Sequence, residues 1–155
     1  MTFEKNFVDR RMMSRADEHQ NGKNSTRFQV DFRVRYAECD AFGYLHHARY
    51  WFYFEQARTE LLRDRGIRYR DLETQGVYFV VYKAACKYIL PILYDDLVSV
   101  RVNVVRTTHT RVDHEYEIHR ESELTCQATT TLACVGRDGR PIVMPKEMWP
   151  AAPGL

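Results

Sequence analysis

Phe28, Val30, Phe32, Val34 and Tyr36 alternate with Gln29, Asp31, Arg33 and Arg35. Side chains of an extended chain point to opposite faces in turn, so this stretch predicts a strand with one buried face. Asp40–Gly43 breaks the pattern, and a longer period replaces it. Tyr50, Trp51, Phe54, Ala57, Leu61 and Leu62 recur at helical spacing. The helix is expected to start near His47 or Ala48 and to run to about Arg65, where Gly66 stops it. Glu55 with Arg58, and Glu60 with Arg63, can pair along its wetter side. A helix carrying this many rings needs cover. Asp71–Gln75 reads as a turn closed by Gly76.

Four further strands follow. Val77–Leu90 would place Tyr78, Val80, Tyr82, Ala84, Cys86 and Tyr88 on one face, with Pro91 ending it. Leu97–Arg106 turns Val98, Val100, Val102 and Val104 inward. Thr110–Arg120 does the same with Val112, His114, Tyr116 and Ile118. Leu124–Val135 groups Leu124, Cys126, Ala128, Thr130, Leu132 and Cys134. Asp138-Gly139 centres the last turn. A strand, a long helix and four strands joined by short turns is an α+β order, with antiparallel pairing. The expected architecture is a sheet of about five strands curled around one long helix. Such a sheet leaves edges that proteins usually pair or cover, so a homo-oligomer is expected.

Composition adds limits. The 155 residues suit one domain, and 45% hydrophobic residues supply a core. Residues 1–26 are polar and aperiodic and read as a peripheral extension; 27–150 is the domain; 151–155 is a tail. Four of the five prolines fall between residues 141 and 153, so the end of the chain is expected to lie irregularly on the surface. Basic and acidic residues number 23 and 21, which gives no electrostatic reason to expect nucleic acid or a membrane surface. No apolar run is long enough for a membrane helix. Cys39, Cys86, Cys126 and Cys134 match no zinc spacing and read as reduced, mostly buried thiols. No signal peptide is visible, so the cytoplasm is the expected compartment.

The candidate chemistry lies in Arg35–Leu62. Asp40 sits in a short loop just before a helix start, where backbone N–H groups lack partners. A carboxylate beside such donors can attack or activate water at an activated ester while the amides hold the oxyanion. From the residues alone, Asp40 fits a capping or turn acid equally well. His46 and His47 are adjacent and do not converge on one metal centre. No metal and no cofactor is expected.

The run CDAFGYLHHARYWFYFEQARTELL resembles the acid-containing turn and aromatic helix of hotdog-fold acyl-CoA thioesterases. It is similar to the 4-hydroxybenzoyl-CoA and Tol-Pal-associated acyl-CoA thioesterase group. CKYILPILYDDLVSVRVNV and DGRPIVMPKEM extend the likeness over most of residues 27–150. The resemblance implies that Asp40 is the catalytic carboxylate, Gly43 the turn glycine, and His47 the source of a backbone N–H for the thioester oxygen. His46 stands where the Tol-Pal-associated member has Tyr, a difference that bears on substrate choice. Glu55 is read as a salt-bridge or subunit-contact residue. Tyr50, Trp51, Phe54, Tyr78 and Tyr82 could wall an acyl group, and Lys83 and Arg101 could meet CoA phosphates, among other basic residues. The implied partner is an acyl-CoA substrate, in a tetramer rather than a dimer alone. An acyl-carrier-protein thioester is the alternative substrate. An enoyl-thioester hydratase or dehydratase and a non-catalytic binding module are the more distant alternatives.

Overall fold

The computed structural model describes residues 26–148. Nearly all of the expected N-terminal extension and the whole C-terminal tail lie outside the described residues. Five strands form one antiparallel sheet: β1 (Arg27–Arg33), β2 (Tyr78–Tyr88), β3 (Leu97–Thr107), β4 (Arg111–Arg120) and β5 (Glu123–Val135). The long helix α1 (Arg49–Asp64) and the short helix α2 (Tyr69–Thr74) come between β1 and β2 in the chain. Across the sheet the order is β1-β3-β4-β5-β2. The chain thus leaves one edge, runs through α1, and returns on the opposite edge.

The inward faces of β3 and β4 are the expected ones. Val98, Val100, Val102, Tyr116 and Ile118 are all buried, and with Cys126 and Ala128 they enclose Tyr50, Tyr53, Phe54, Ala57 and Leu61 of α1. Phe54 lies against Tyr116 with ring centroids 4.8 Å apart, and Tyr53 stacks on Phe32 at 4.6 Å. The helix ends as expected: Gly66 takes φ +82°, a left-handed value that costs glycine little. The Glu55–Arg58 and Glu60–Arg63 pairs are both present. Among the described residues no helix is long and apolar enough to cross a membrane.

Four expectations need correction. The first strand stops at Arg33, and Tyr36–Glu38 forms a 3-10 turn that leaves Tyr36 80% exposed. In β2 the pairing slips between Val81 and Lys83, so Tyr82 is the extra residue of a bulge. A bulge reverses the alternation beyond it. Phe79 shares a face with Cys134, and Cys86 and Tyr88 share the same inner face with Ala128 and Cys126. Tyr78 and Val80 therefore face away from α1 and do not share a face with Cys86. A second slip, between Ile118 and His119, puts Thr125 rather than Leu124 in the interior; Thr125 spends its hydroxyl on the Ile118 carbonyl at 2.9 Å. The C-terminal segment is irregular, as its prolines require, but it is not merely superficial. Met144 and Met148 are buried with Leu72, Val112, Leu132 and Cys134 in a smaller core beneath α2.

Phe54 is fully buried in the aromatic centre and Phe52, on the other side of α1, is 58% exposed. Phe54→Ala is expected to lower unfolding stability by about 3–5 kcal/mol. Phe52→Ala should stay within about 0.5 kcal/mol. Urea unfolding of the two variants against the parent chain checks the contrast.

Candidate active site

Between β1 and α1 the chain folds back on itself. Cys39 bridges Leu45, and Tyr44 bridges Leu93. The Asp40 N–H donates to the Tyr44 carbonyl at 2.8 Å, and the Gly43 N–H to the Asp40 carbonyl at 2.9 Å. Gly43 holds φ +77°, which is why a glycine closes this turn. The Asp40 carboxylate is gripped on one side only: Oδ1 accepts from the N–H groups of Phe42 at 2.8 Å and Tyr44 at 3.2 Å. Among the described residues nothing donates to Oδ2. Backbone donors thus orient the carboxylate while leaving one oxygen able to take a proton or attack.

The residues that follow spend nearly all their amides. Leu45 N–H donates to the Ile92 carbonyl, His46 N–H to the Glu38 carbonyl and Arg49 N–H to the His46 carbonyl. Ala48 N–H donates to His46 Nδ1 at 3.2 Å, so the His46 ring caps the helix start. Its ring also stacks on His47, with centroids 4.2 Å apart. His47 is the exception. No described group accepts from its N–H, while its carbonyl accepts the Tyr88 hydroxyl at 3.0 Å. An unspent amide at the positive end of α1 is suited to a developing oxyanion.

A buried acid supports the loop from below. Glu38 accepts from the Arg35 N–H at 2.9 Å, the Arg35 guanidinium at 2.8 Å and the Tyr53 hydroxyl at 2.7 Å. Burial alone would raise its pKa, but these hydrogen bonds together hold it below the ordinary 4.5. The Arg35 side chain is 78% exposed, so solvent screens that ion pair and the backbone and tyrosine bonds matter more. Behind the loop, Tyr50 lies edge-on to Tyr88 at 4.9 Å. The Tyr50 pKa is raised by burial first, and by the nearby Cys126, Cys86, Tyr88 and Asp40. Cys86 and Cys126 are free thiols whose sulfurs approach to 3.3 Å.

The family model of the Thioesterase-like superfamily matches residues 34–151. The chain belongs to that superfamily. The acyl-CoA thioesterase YbgC of Haemophilus influenzae is 35% identical over 123 residues, 78% of this chain and 90% of the relative. The acyl-CoA thioester hydrolase YbgC of Escherichia coli O6:H1 is 32% identical over 113 residues, 72% of this chain and 84% of the relative. The solved structure of the DHNA-CoA thioesterase from Staphylococcus aureus superposes with a TM-score of 0.73 at 31% identity, covering 76% of this chain and 80% of that one. The helix enclosed by an antiparallel sheet is accordingly the hotdog fold that the resemblance implied.

Within this superfamily member, Asp40, Gly43 and His47 come together in one loop, and Tyr50 and Tyr88 back it. The other candidates are dispersed. Phe54 is core, and Trp51 packs edge-on against it at 5.5 Å. Tyr78 begins β2, at the end away from Tyr88. Tyr82 sits in the bulge with Arg111 over its ring at 4.4 Å. Lys83 pairs with Thr131 on the sheet face away from α1. Arg101, exposed on β3, donates to Gln29 at 2.9 Å.

Sequence reasoning missed three participants. Tyr53 continues the helical stripe of Tyr50 and Phe54 and could have been read as inward. Tyr88 was placed on the Cys86 face, but its bond to the His47 carbonyl is a tertiary contact that alternation does not show. Glu38 was not singled out, and nothing in its spacing shows that it is buried.

Because folding depresses the Glu38 pKa, its contribution to stability is full above the unfolded value and is lost as pH falls through the folded value. The parent chain should therefore lose stability more steeply below about pH 4.5 than Glu38→Gln does. Thermal unfolding between pH 3 and 6 measures this; parallel curves would show that Glu38 is not linked to folding.

Proposed function

We propose that the chain hydrolyses acyl-CoA thioesters to the free acid and CoA, with Asp40 and the His47 N–H as its working groups. The observation that carries this reading is the pairing of a half-engaged carboxylate with an unspent helix-entry amide on one loop. The names of the YbgC relatives support the substrate class. As general base, Asp40 takes a proton from water, water oxygen bonds to the thioester carbon, and the carbonyl oxygen gains charge against the His47 N–H. Collapse expels CoA thiolate, which takes up the proton. As nucleophile, Asp40 attacks the thioester carbon, the C–S bond breaks to expel CoA thiolate, and water then opens the mixed anhydride, releasing the acid, returning the Asp40 carboxylate and supplying the proton the thiolate takes up. One aligned donor stabilises such a transition state by about 3–4 kcal/mol.

The working form is a homo-oligomer, and a tetramer rather than a dimer alone. β2 is an eleven-residue edge strand with Val80, Val81 and Tyr82 about half exposed or more. Antiparallel pairing of β2 with its own copy about Lys83 would set Tyr88 of one chain beside Tyr78 of the other. The His47 loop of one copy would then adjoin the Phe79 end of the second, where a cavity opens under α1. The acyl group is read as entering that cavity of the neighbour. A separate group of exposed rings, Tyr36, Phe42 and Tyr94, supports a further contact and hence the tetramer.

Asp40→Asn should cut hydrolysis by at least about 10²-fold with the fold intact. Thiol release over short, medium, long and aromatic acyl-CoAs tests both activity and preference. Near-normal turnover by Asp40→Asn would remove the assignment. Cleavage of an acyl-carrier-protein thioester with no thiol release from any CoA would shift the substrate.

Light scattering should give a mass near four times 18.4 kDa. An active species of 18.4 kDa would defeat both the assembly and the shared site.

A further inference from the structure

The peptide that joins His47 to Ala48 is held at both ends by side chains from distant parts of the chain. Its carbonyl accepts from the Tyr88 hydroxyl at 3.0 Å, and its N–H donates to His46 Nδ1 at 3.2 Å. The second bond requires the neutral His46 tautomer with its proton on Nε2. The preceding peptide, from His46 to His47, is held through its carbonyl, which accepts from the Arg49 N–H at 2.8 Å. Its own N–H is the one that donates to no described group. The two planar peptides meet at the His47 Cα, so the torsions about that carbon set where the His47 N–H points. Clamping the second peptide at both ends leaves those torsions little freedom.

Both clamps are themselves placed by packing. The Tyr88 ring lies edge-on to the buried Tyr50 at 4.9 Å. The His46 ring stacks on His47 at 4.2 Å, and the His46 N–H is tied to the Glu38 carbonyl at 2.9 Å. Burial first, and then the neighbouring Cys86, holds the Tyr88 pKa up at about 12, so its hydroxyl stays protonated and donating through the neutral range. Tyr88 is nevertheless 46% exposed. Without the His47 carbonyl its hydroxyl would bond water, so folding does not demand this contact. A phenylalanine would pack on Tyr50 equally well.

We propose that Tyr88 and His46 are positioning residues for hydrolysis: together they clamp the 47–48 peptide and so aim the His47 N–H at the thioester oxygen. The inference rests on the reading that this amide receives the oxyanion. Each side chain acts through the backbone rather than on the reacting atoms. A donor held in place stabilises developing charge without reorganising, and one free to swing loses that advantage. A displacement of about 1 Å is enough to slow an enzyme by about 10²-fold.

The test is thiol-release kinetics on the acyl-CoA that the parent protein cleaves fastest, together with ¹⁵N relaxation of the His47 amide in deuterated protein. Tyr88→Phe keeps the ring and deletes only the hydroxyl. It should lower kcat at least about 10-fold and leave KM within about 2-fold, with urea unfolding nearly unchanged. His46→Leu should act in the same direction. His46→Asn, whose side chain again offers the Ala48 N–H an acceptor, should recover most of that loss. Because both bonds hold one peptide, the double variant Tyr88→Phe, His46→Leu should lose clearly less than the product of the single losses. The order parameter of the His47 N–H should be about 0.85 in the parent and fall toward about 0.6 in either single variant. A folded Tyr88→Phe protein with the parent kcat, single losses that multiply, or an order parameter that does not move overturns the proposal. If His46→Leu fails to fold, Tyr88→Phe decides alone, by kcat and by the order parameter. The two readings fail separately. An amide that loosens in Tyr88→Phe, in a protein that releases no thiol from any acyl-CoA, defeats the hydrolase reading and leaves the clamp standing. Hydrolysis abolished by Asp40→Asn yet untouched by Tyr88→Phe does the reverse.

Discussion

The structure depends on burying one aromatic helix face inside a curled sheet. Tyr50, Tyr53, Phe54, Ala57 and Leu61 lie along α1 and meet the inward residues of β3, β4 and β5. Removing that much apolar surface from water is the large favourable term in folding. It also fixes the helix axially, since Phe54 against Tyr116 and Tyr53 against Phe32 leave little freedom to slide or roll. A helix fixed in this way presents its first turn at a fixed place. The loop before it inherits that position.

The proposed chemistry and the stability of the helix start meet in the few residues from Arg35 to Arg49. Glu38 ties the loop down to Tyr53 on the helix's buried side, and its carbonyl holds the His46 amide. Asp40 is turned by two backbone amides, and His46 closes the helix start with its own ring. Every amide from Leu45 to Arg49 except that of His47 is thereby occupied. The free amide is the remainder of an otherwise closed set of hydrogen bonds. That makes it rigid, and a rigid donor need not reorganise when charge develops beside it.

Much of this was legible in the chain, and the failures have physical reasons. Strict alternation marked β3 and β4 because both strands have one buried face. The loop glycine and the aromatic period located Asp40 and α1. β2 misled because its period breaks at Tyr82, and a bulge has no reliable signature in composition. Glu38 was passed over because burial of a polar residue in a turn is decided by tertiary packing, not by its neighbours in sequence; His114, in a strand, was placed inward by the alternation of β4. The Met144 and Met148 contacts were missed for the same reason: proline-rich segments look superficial, yet their apolar side chains can still turn inward.

The bulge at Tyr82 gives β2 two independently phased halves. The half before it turns Phe79 inward, next to the cavity; the half after it turns Cys86 and Tyr88 inward, toward the loop. In an unbroken strand, residues 79 and 88 would have opposite parity, and only one of them could face the helix. The extra residue works as a half-step in a ratchet, letting one edge strand serve both ends of the helix. Loss of a single residue there would do what no side-chain exchange can: it would turn one whole end of the strand inside out while leaving its composition untouched.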